Sequence, residues 1–267
     1  MLKTRIITAA VLIALLLLVI FWLPPAATVI AVTLLVLAGA WEWAGFMRLT
    51  SRAARLAYVG GIALCLPLSW LATATHEGRT LLVAVATVWW LVALLWIVFA
   101  PQRVAVWSAG LAGVLALVPA WAALVYVRRA VPGGAQWLLF VLLLVWAADI
   151  GAYFAGRWFG RRRLAPVVSP GKTWEGVAGA LVASGLVAAA GSHWFGVPLV
   201  LFVPLCLAAV AFSIVGDLTE SLFKRFAGLK DSGTLFPGHG GVMDRIDSIT
   251  SAAPVLLFGL LACGVVQ

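Results

Sequence analysis

Long apolar runs recur along this 267-residue chain, and short polar segments separate them. Each run holds about twenty residues with few charges, which is the length that an α-helix needs to cross the hydrocarbon core of a bilayer. The pattern predicts nine transmembrane helices, near residues 6–23, 26–47, 56–75, 80–100, 105–127, 137–156, 177–195, 197–216 and 248–266. The predicted fold class is therefore all-α, in a polytopic integral membrane protein.

Composition supports this class and excludes others. Hydrophobic residues make up 64% of the chain and charged residues 10%, whereas soluble domains carry about 25% charged residues. The net charge of +9 is explained by Lys and Arg in cytoplasmic loops that face anionic lipid headgroups, so no nucleic-acid partner is expected. The three cysteines lie far apart in apolar runs, so neither a disulfide nor a zinc site is expected.

The distribution of cations predicts the orientation. The first apolar run is too long for a cleaved signal peptide, so residues 6–23 are expected to remain as a span. With the N-terminus in the cytoplasm, fifteen of the 18 Lys and Arg residues fall inside and three outside, in line with the positive-inside rule. The polar loops 157–176 and 217–247 then lie at the cytoplasmic face, and the C-terminus lies outside. The adjacent pair Arg128 and Arg129 departs from the rule.

The acidic residues divide the chain into two regions of one structural unit. Seven of the nine follow residue 148. Residues 1–136, spans one to five, are therefore predicted to be a scaffold, and residues 137–267, spans six to nine, a catalytic region. The two remaining acids, Glu42 and Glu77, lie near predicted span ends and are expected to be solvated or interfacial carboxylates.

Asp149 lies inside the apolar segment LLLVWAADIGAYFAGRWFG, where an ionised carboxylate is costly and should face a partner or a wet cavity. Nearby, small residues at every fourth position form a ridge that lets another helix approach closely; they are Ala148, Ala152, Gly156 and Gly160. Two roles stay open for Asp149, a functional one and a purely structural hydrogen bond between helices.

The segment SPGKTWEG is predicted to start a helix, with Ser169 as N-cap and Pro170 at the first helical position. The free N–H groups and the positive end of the helix dipole suit an anion, and Lys172 and Thr173 add donors. A nucleotide-binding P-loop is excluded because Pro166 stands where that motif needs glycine. The alternative is a capped helix start with no ligand.

Two groups of polar residues are spaced so that each would share one helical face. If the helix of span eight continues past the bilayer, the first group occupies positions i, i+3, i+4 and i+7: Asp217, Glu220, Ser221 and Lys224. The second group leads into span nine at i, i+3 and i+4: Asp244, Asp247 and Ser248. The carboxylates could converge, and hard oxygen ligands without clustered His or Cys favour Mg²⁺ over zinc. The alternative is that Asp217 and Asp244 form salt bridges with Lys224 or Arg245.

Between these groups, the segment FPGHGG offers a glycine backbone that can approach phosphate closely. His239 within it is open to three roles: general base, donor to phosphate, or hydrogen bonding within the loop.

Residues 221–247 resemble the signature of the phosphatidate cytidylyltransferases, also called CDP-diacylglycerol synthases. The matching pattern is Ser221-x-Phe223-Lys224-Arg225, four residues, Lys230-Asp231-x-Gly233, then Phe236-Pro237-x-His239-Gly240-Gly241-Val242-x-Asp244-Arg245-Ile246-Asp247. The segments SPGKTWEG and AADIGAYFAGRWFG also resemble this family. The similarity covers about residues 145–250, and the first four spans match only in hydropathy.

The resemblance implies an enzyme that transfers a cytidylyl group from CTP to phosphatidic acid, giving CDP-diacylglycerol and pyrophosphate, at the cytoplasmic face of a bacterial inner membrane in phospholipid biosynthesis. It implies a homodimer among membrane lipids and a Mg²⁺-dependent reaction, with one or two divalent ions on Asp217 and Asp244, Glu220 nearby, and K⁺ as a further ion. We expect catalytic roles for Asp217, Asp244, Lys224, Arg225 and Asp247. We expect contacts with substrate phosphates from Asp149, Ser169, Lys172, Thr173, Glu175, Ser221, Lys230, Asp231, His239, Gly240, Gly241 and Arg245.

Other classes fit less well. A transporter that uses Asp149 as a proton relay predicts carboxylates spread at mid-membrane depth and broken helices in two related halves, which the sequence lacks. Another CTP-using membrane enzyme of the same broad superfamily, such as a polyprenol kinase, would differ in its lipid acceptor. A CDP-alcohol phosphotransferase would need a D-G-x-x-A-R motif, which is absent.

Overall fold

The fold is built from membrane-length helices, as the apolar runs predict. The computed structural model describes residues 10, 11, 13–235 and 240–266. A short apolar helix, α1 (Ile13–Trp22), ends in a π-helical turn (Leu18–Trp22). Eight helices that are long and apolar enough to cross a membrane follow in the described part of the chain: α2 (Pro25–Phe46), α3 (Arg52–Ala72), α4 (His76–Phe99), α5 (Val106–Ala130), α6 (Gly134–Phe159), α7 (Trp174–Phe195), α8 (Leu199–Ala227) and α9 (Met243–Ala262). The all-α polytopic fold class is confirmed.

The predicted spans agree with these helices, with differences at the polar ends. Spans two to nine correspond to α2–α9, whereas the predicted first span, 6–23, lies partly outside the described residues. Helix α8 continues eleven residues past its predicted end at 216, and α9 begins at Met243, five residues early. The polar segment 217–247 is therefore helical at both ends, and the connection between α8 and α9 is correspondingly short.

The extension of α8 is stabilised by aromatic packing. Leu218, Leu222 and Phe223 are buried, and the Phe223 ring lies 5.4 Å from the Trp43 ring and 5.7 Å from the Trp96 ring. With 29 residues, α8 is about 44 Å long, longer than the ~30 Å hydrocarbon core. The helix can therefore carry its polar last turns beyond the apolar region.

A small β-hairpin replaces the helix start predicted at Ser169. Strand β1 (Arg163–Ala165) pairs antiparallel with β2 (Ser169–Thr173). The N-cap of α7 is Thr173, whose side-chain oxygen accepts a hydrogen bond from Gly176 N at 3.1 Å. The prediction of Ser169 as N-cap and Pro170 as first helical residue was wrong, because strand pairing holds both in extended backbone.

Helices α6 and α7 cross closely through small residues, as the predicted ridge requires. A Cβ atom at Gly176 would lie 3.1 Å from the Ala152 carbonyl oxygen and 3.7 Å from Gly156 Cα. At the next contact, Gly179 packs on Gly151 with no room for a Cβ atom. This close approach brings the start of α7 beside the polar residues of α6.

The cations that depart from the positive-inside pattern have local partners. Arg128 donates to Thr28 Oγ1 and to the Ile20 carbonyl oxygen, each at 3.3 Å, and the Arg129 guanidinium lies 5.4 Å from the Trp70 ring. Both occupy the last turn of α5, where a cation interacts favourably with the negative end of the helix dipole. All three cysteines are free.

Candidate active site

A cavity of about 480 Å³ lies between α6, the hairpin, α7, α8 and α9. Its polar wall brings together segments that are far apart in the sequence: Asp149 and Arg157 of α6, Lys172 and Thr173 of β2, Asp217 of α8 and Ser248 of α9. Asp149 thus faces a cavity, one of the two surroundings expected for a carboxylate within an apolar segment. Most of the remaining wall is apolar, with Val177, Ala180, Ile214 and Leu164 among its residues.

Lys172 and Asp217 form an ion pair in this cavity. The Lys172 Nζ atom lies 2.5 Å from Asp217 Oδ2, and the two side chains are 25% and 31% exposed. Strand β2 presents Lys172 directly before the N-terminus of α7, where the backbone N–H groups and the helix dipole attract anions. The helix starts four residues later in the chain than predicted, so Lys172 directly precedes the helix instead of lying in its first turn.

A second ion pair is more deeply buried, where α8 meets α9. Lys224 Nζ lies 2.7 Å from Asp244 Oδ1 and 3.4 Å from Glu220 Oε1, and the three side chains are 12%, 10% and 1% exposed. The convergence of the two acidic helix ends is thus confirmed. Of the salt bridges considered for Asp244, the one with Lys224 forms, whereas Asp217 pairs with Lys172.

The second carboxylate oxygen of Asp244 binds the loop before α9. Asp244 Oδ2 accepts hydrogen bonds from Ser232 N at 3.0 Å and from Gly241 N at 2.8 Å, and Ser232 Oγ lies 3.0 Å away. Gly240 has a φ of +78°, a left-handed conformation that glycine adopts without strain. This turn directs the Gly241 amide at Asp244.

Glu220 of α8 and Asp247 of α9 form a pair of acidic side chains suited to a metal ion. Their carboxyl groups interact directly. Apart from the Lys224 ammonium 3.4 Å from Oε1, no donor among the described residues approaches either Glu220 oxygen closely enough for a hydrogen bond. Glu220 is buried and Asp247 half-buried, and two acidic groups in contact in such surroundings need a shared proton or a cation between them. Hard oxygen donors of this kind fit Mg²⁺.

The described residues contain no ready-made cluster of three or more acidic, His or Cys ligands. Mg²⁺ commonly binds to one or two carboxylates and takes its other ligands from substrate phosphates and water. The residues present therefore fit a metal that arrives with its nucleotide. The predicted ligands Asp217, Asp244 and Glu220 all lie where α8 and α9 meet, near the two lysines.

The other predicted site residues occupy varied positions. Arg225 donates to the Val168 and Leu229 carbonyl oxygens, each at 3.4 Å, and so links the hairpin to α8. Glu175 accepts from the backbone N–H groups of Arg161 and Arg162, a structural contact. Ser169 lies in β2, and Ser221 is buried. Lys230, Asp231 and Arg245 are exposed, and His239 lies outside the described residues.

Glu42 of α2 was missed as a candidate, and its expected exposure was wrong. It is only 8% exposed, and its carboxylate accepts hydrogen bonds from Ser232 Oγ, Val242 N and Met243 N. The available signal was a carboxylate within an apolar run, the same signal that identified Asp149. Glu77, by contrast, is exposed in the first turn of α4, as expected.

Comparison with known proteins extends the resemblance to nearly the whole chain. Residues 3–263 match the model of the cytidylyltransferase family. A phosphatidate cytidylyltransferase of Pseudomonas aeruginosa is 44% identical over 99% of this chain and 98% of its own length. One from Haemophilus influenzae is 41% identical over 95% of this chain and 96% of its own, and one from Brucella suis is 47% identical over 49% of each. The chain therefore belongs to the cytidylyltransferase family and is a nucleotidyltransferase enzyme.

Proposed function

We propose that this protein transfers the cytidylyl group of CTP to phosphatidic acid and releases CDP-diacylglycerol and pyrophosphate at the cytoplasmic face of a bacterial inner membrane. The names of the relatives from P. aeruginosa and H. influenzae support the substrate pair. The observation that carries the proposal is the cavity, which combines a lysine, a helix N-terminus and an aspartate with a largely apolar remaining wall. A phosphate attached to acyl chains has matching polar and apolar parts.

In this reaction a phosphate oxygen of phosphatidic acid attacks the α-phosphorus of CTP, and the bond to the departing pyrophosphate breaks. Both reactants are anions, so catalysis consists mainly of charge neutralisation and alignment. The attacking phosphate is already ionised near neutral pH, and no strong general base is required. The proposal therefore assigns no essential proton transfer to His239.

Lys172 and the start of α7 are the first groups to bind phosphate in this scheme. An incoming phosphate competes with Asp217 for the Lys172 ammonium, which contacts the Asp217 carboxylate at 2.5 Å. Exchange of partners would free the Asp217 carboxylate. The exposure of this ion pair to the cavity makes such an exchange accessible.

Asp217, Asp244 and Glu220 are the residues that would hold Mg²⁺, with a second divalent ion or K⁺ as a further expectation. When bound, Mg²⁺ would supply positive charge to the phosphates of the two substrates. Asp247 contacts Glu220 and keeps that carboxyl group at the junction of α8 and α9. Lys224 holds Asp244 in place, and the exposed Lys230 and Arg245 would add positive charge for the substrate phosphates. We also propose that the protein forms a homodimer.

The test is an assay of the purified protein with labelled CTP and a panel of lipid acceptors. We expect labelled CDP-diacylglycerol and an equal amount of pyrophosphate with phosphatidic acid, only when Mg²⁺ is present. Turnover of a polyprenol but not of phosphatidic acid would overturn the substrate assignment. Full activity after chelation of divalent ions would overturn the metal assignment. In sealed inside-out vesicles, formation of labelled product only when CTP is supplied in the lumen would overturn the proposed cytoplasmic face.

A further inference from the structure

The C-terminal end of α2 contacts both helices that carry the acidic site, although α2 belongs to the region predicted to be a scaffold. Glu42 contacts the start of α9, and Arg48 contacts the end of α8. Arg48 donates to the Phe226 carbonyl oxygen through Nε at 3.1 Å and through Nη2, with its guanidinium 4.2 Å from the Phe226 ring. An anion at a helix start and a cation at a helix end each interact favourably with the helix dipole. Glu42 and Arg48 therefore stabilise the start of α9 and the end of α8 together.

Glu42 binds the start of α9 through both carboxylate oxygens. Oε1 accepts from Val242 N at 3.0 Å, and Oε2 accepts from Met243 N at 2.9 Å. These N–H groups have no partner within the helix itself, because the first turn of any helix leaves its donors free. A buried carboxylate with such partners is held in one orientation, and it holds the helix start in return.

Ser232 connects Glu42 to Asp244. Its hydroxyl oxygen lies 2.7 Å from Glu42 Oε2 and 3.0 Å from Asp244 Oδ2. A hydroxyl carries a single proton, so the Ser232 hydroxyl donates to one of these two carboxylates at a time. The backbone N–H of Ser232 then donates to Asp244 at 3.0 Å. Glu42 therefore orients Ser232, and Ser232 orients Asp244.

Two glycines allow the loop to lie against Glu42. A Cβ atom at Gly233 or at Gly241 would collide with the Glu42 carboxylate oxygens. Gly241 also donates its N–H to Asp244 at 2.8 Å. The loop backbone is thus held between the two carboxylates, with glycine at both points of contact.

We propose that Glu42 is a positioning residue for Asp244, acting through Ser232 and the backbone before α9. The proposal rests on the proposed function for its kinetic readout. Neither Glu42 nor Ser232 lines the 480 Å³ cavity, so their loss should misorient Asp244 without removing a contact of that cavity. The turnover number should fall while the KM for CTP stays nearly constant.

The experiment compares Glu42→Gln, Ser232→Ala and the double variant with the unmodified protein, using kcat per folded molecule. We expect each single change to lower kcat roughly 10–100-fold, as for other residues that orient catalytic ligands. The KM for CTP should change less than about twofold, because no interaction shared by bound substrate and transition state is lost. The double variant should be no slower than the slower single variant, because both changes interrupt one connection.

Glu77→Gln is the matched control, since it removes the same charge from an exposed position in the first region. It should leave kcat and KM unchanged. A Glu42→Gln variant with unmodified kcat, or multiplicative losses in the double variant, would overturn the proposal. A merely structural role would lower the folded fraction and leave kcat per folded molecule unchanged.

Hydrogen exchange separates failure of this inference from failure of the proposed function. If the unmodified protein transfers no cytidylyl group to phosphatidic acid, exchange at the Val242 and Met243 amides still reports on Glu42. Faster exchange at these two amides in Glu42→Gln, with unchanged exchange in Glu77→Gln, supports the contact. Unchanged exchange in both variants would overturn it.

Discussion

Two lysine–aspartate pairs form at the candidate site, and they differ in their surroundings. Lys172 and Asp217 meet in an open cavity, with side chains 25% and 31% exposed. Lys224 and Asp244 meet at a buried helix junction, with side chains 12% and 10% exposed. The same chemical pair therefore occurs once in contact with a cavity and once largely buried.

The number of partners differs as well. Asp244 has both oxygens bound, to Lys224 on one side and to the backbone N–H groups of Ser232 and Gly241 on the other. A carboxylate with several fixed donors is a rigid component, whereas a solvated ion pair exchanges partners at small cost. The difference indicates that the Lys172–Asp217 pair can exchange partners, whereas Lys224 and the loop before α9 hold Asp244 in one orientation.

Removal of Lys224 should have the largest effect on stability. Lys224→Met leaves Glu220 and Asp244 without their cation at buried positions, and breaking a buried pair in this way costs about 3–5 kcal/mol. We expect a lower free energy of unfolding and loss of transfer activity. Denaturant titration of the protein in detergent measures the free energy of unfolding. A value equal to that of the unmodified protein would show that Lys224 does not neutralise buried carboxylates.

Gly241→Ala should have the next largest effect, because the new Cβ atom would collide with Glu42 and Ser232 in the closed cluster. Overpacking of this kind costs about 1–3 kcal/mol. Gly171→Ala is the matched control in the open region, where no atom lies within 4 Å of the added Cβ, and it should change stability by less than about 0.5 kcal/mol. Equal melting temperatures for the two variants would contradict the difference in packing between the Gly241 and Gly171 positions.

Lys172→Met should have the smallest effect on stability and a selective effect on binding. An ion pair open to solvent contributes about 0–1 kcal/mol, so the free energy of unfolding should hardly change. The KM for phosphatidic acid should rise roughly tenfold, the equivalent of one charge-assisted hydrogen bond to phosphate. Steady-state kinetics at fixed ionic strength measure this change, and a variant that is unstable but binds phosphatidic acid normally would reverse the roles of the two pairs.

Local spacing predicted much of this site. The i, i+3 and i+7 positions of Asp217, Glu220 and Lys224 predicted one helical face, and α8 extends to include all three. The repeat of small residues on α6 predicted the close approach of α7. Such features follow from helix geometry, which depends only on neighbours within a few positions.

Tertiary packing decided which partners these residues have. Glu42 accepts from residues 190, 200 and 201 positions away, and no helical period connects such distant positions. The hairpin moved the N-cap from Ser169 to Thr173, because pairing with β1 outweighed the local preference for a helix start.

The sequence by itself determined a polytopic helical membrane protein in which seven of the nine acidic residues lie in the region of the last four spans. Periodicity and residue chemistry are local properties, and they suffice for that conclusion. Only the tertiary structure decided that Lys172 pairs with Asp217 in an open cavity, that Lys224 pairs with Asp244 at a buried helix junction, and that Glu42 of α2 holds the loop before α9. The physical reason is that burial and pairing depend on which helix surfaces meet, and that choice is made by the packing of the whole chain.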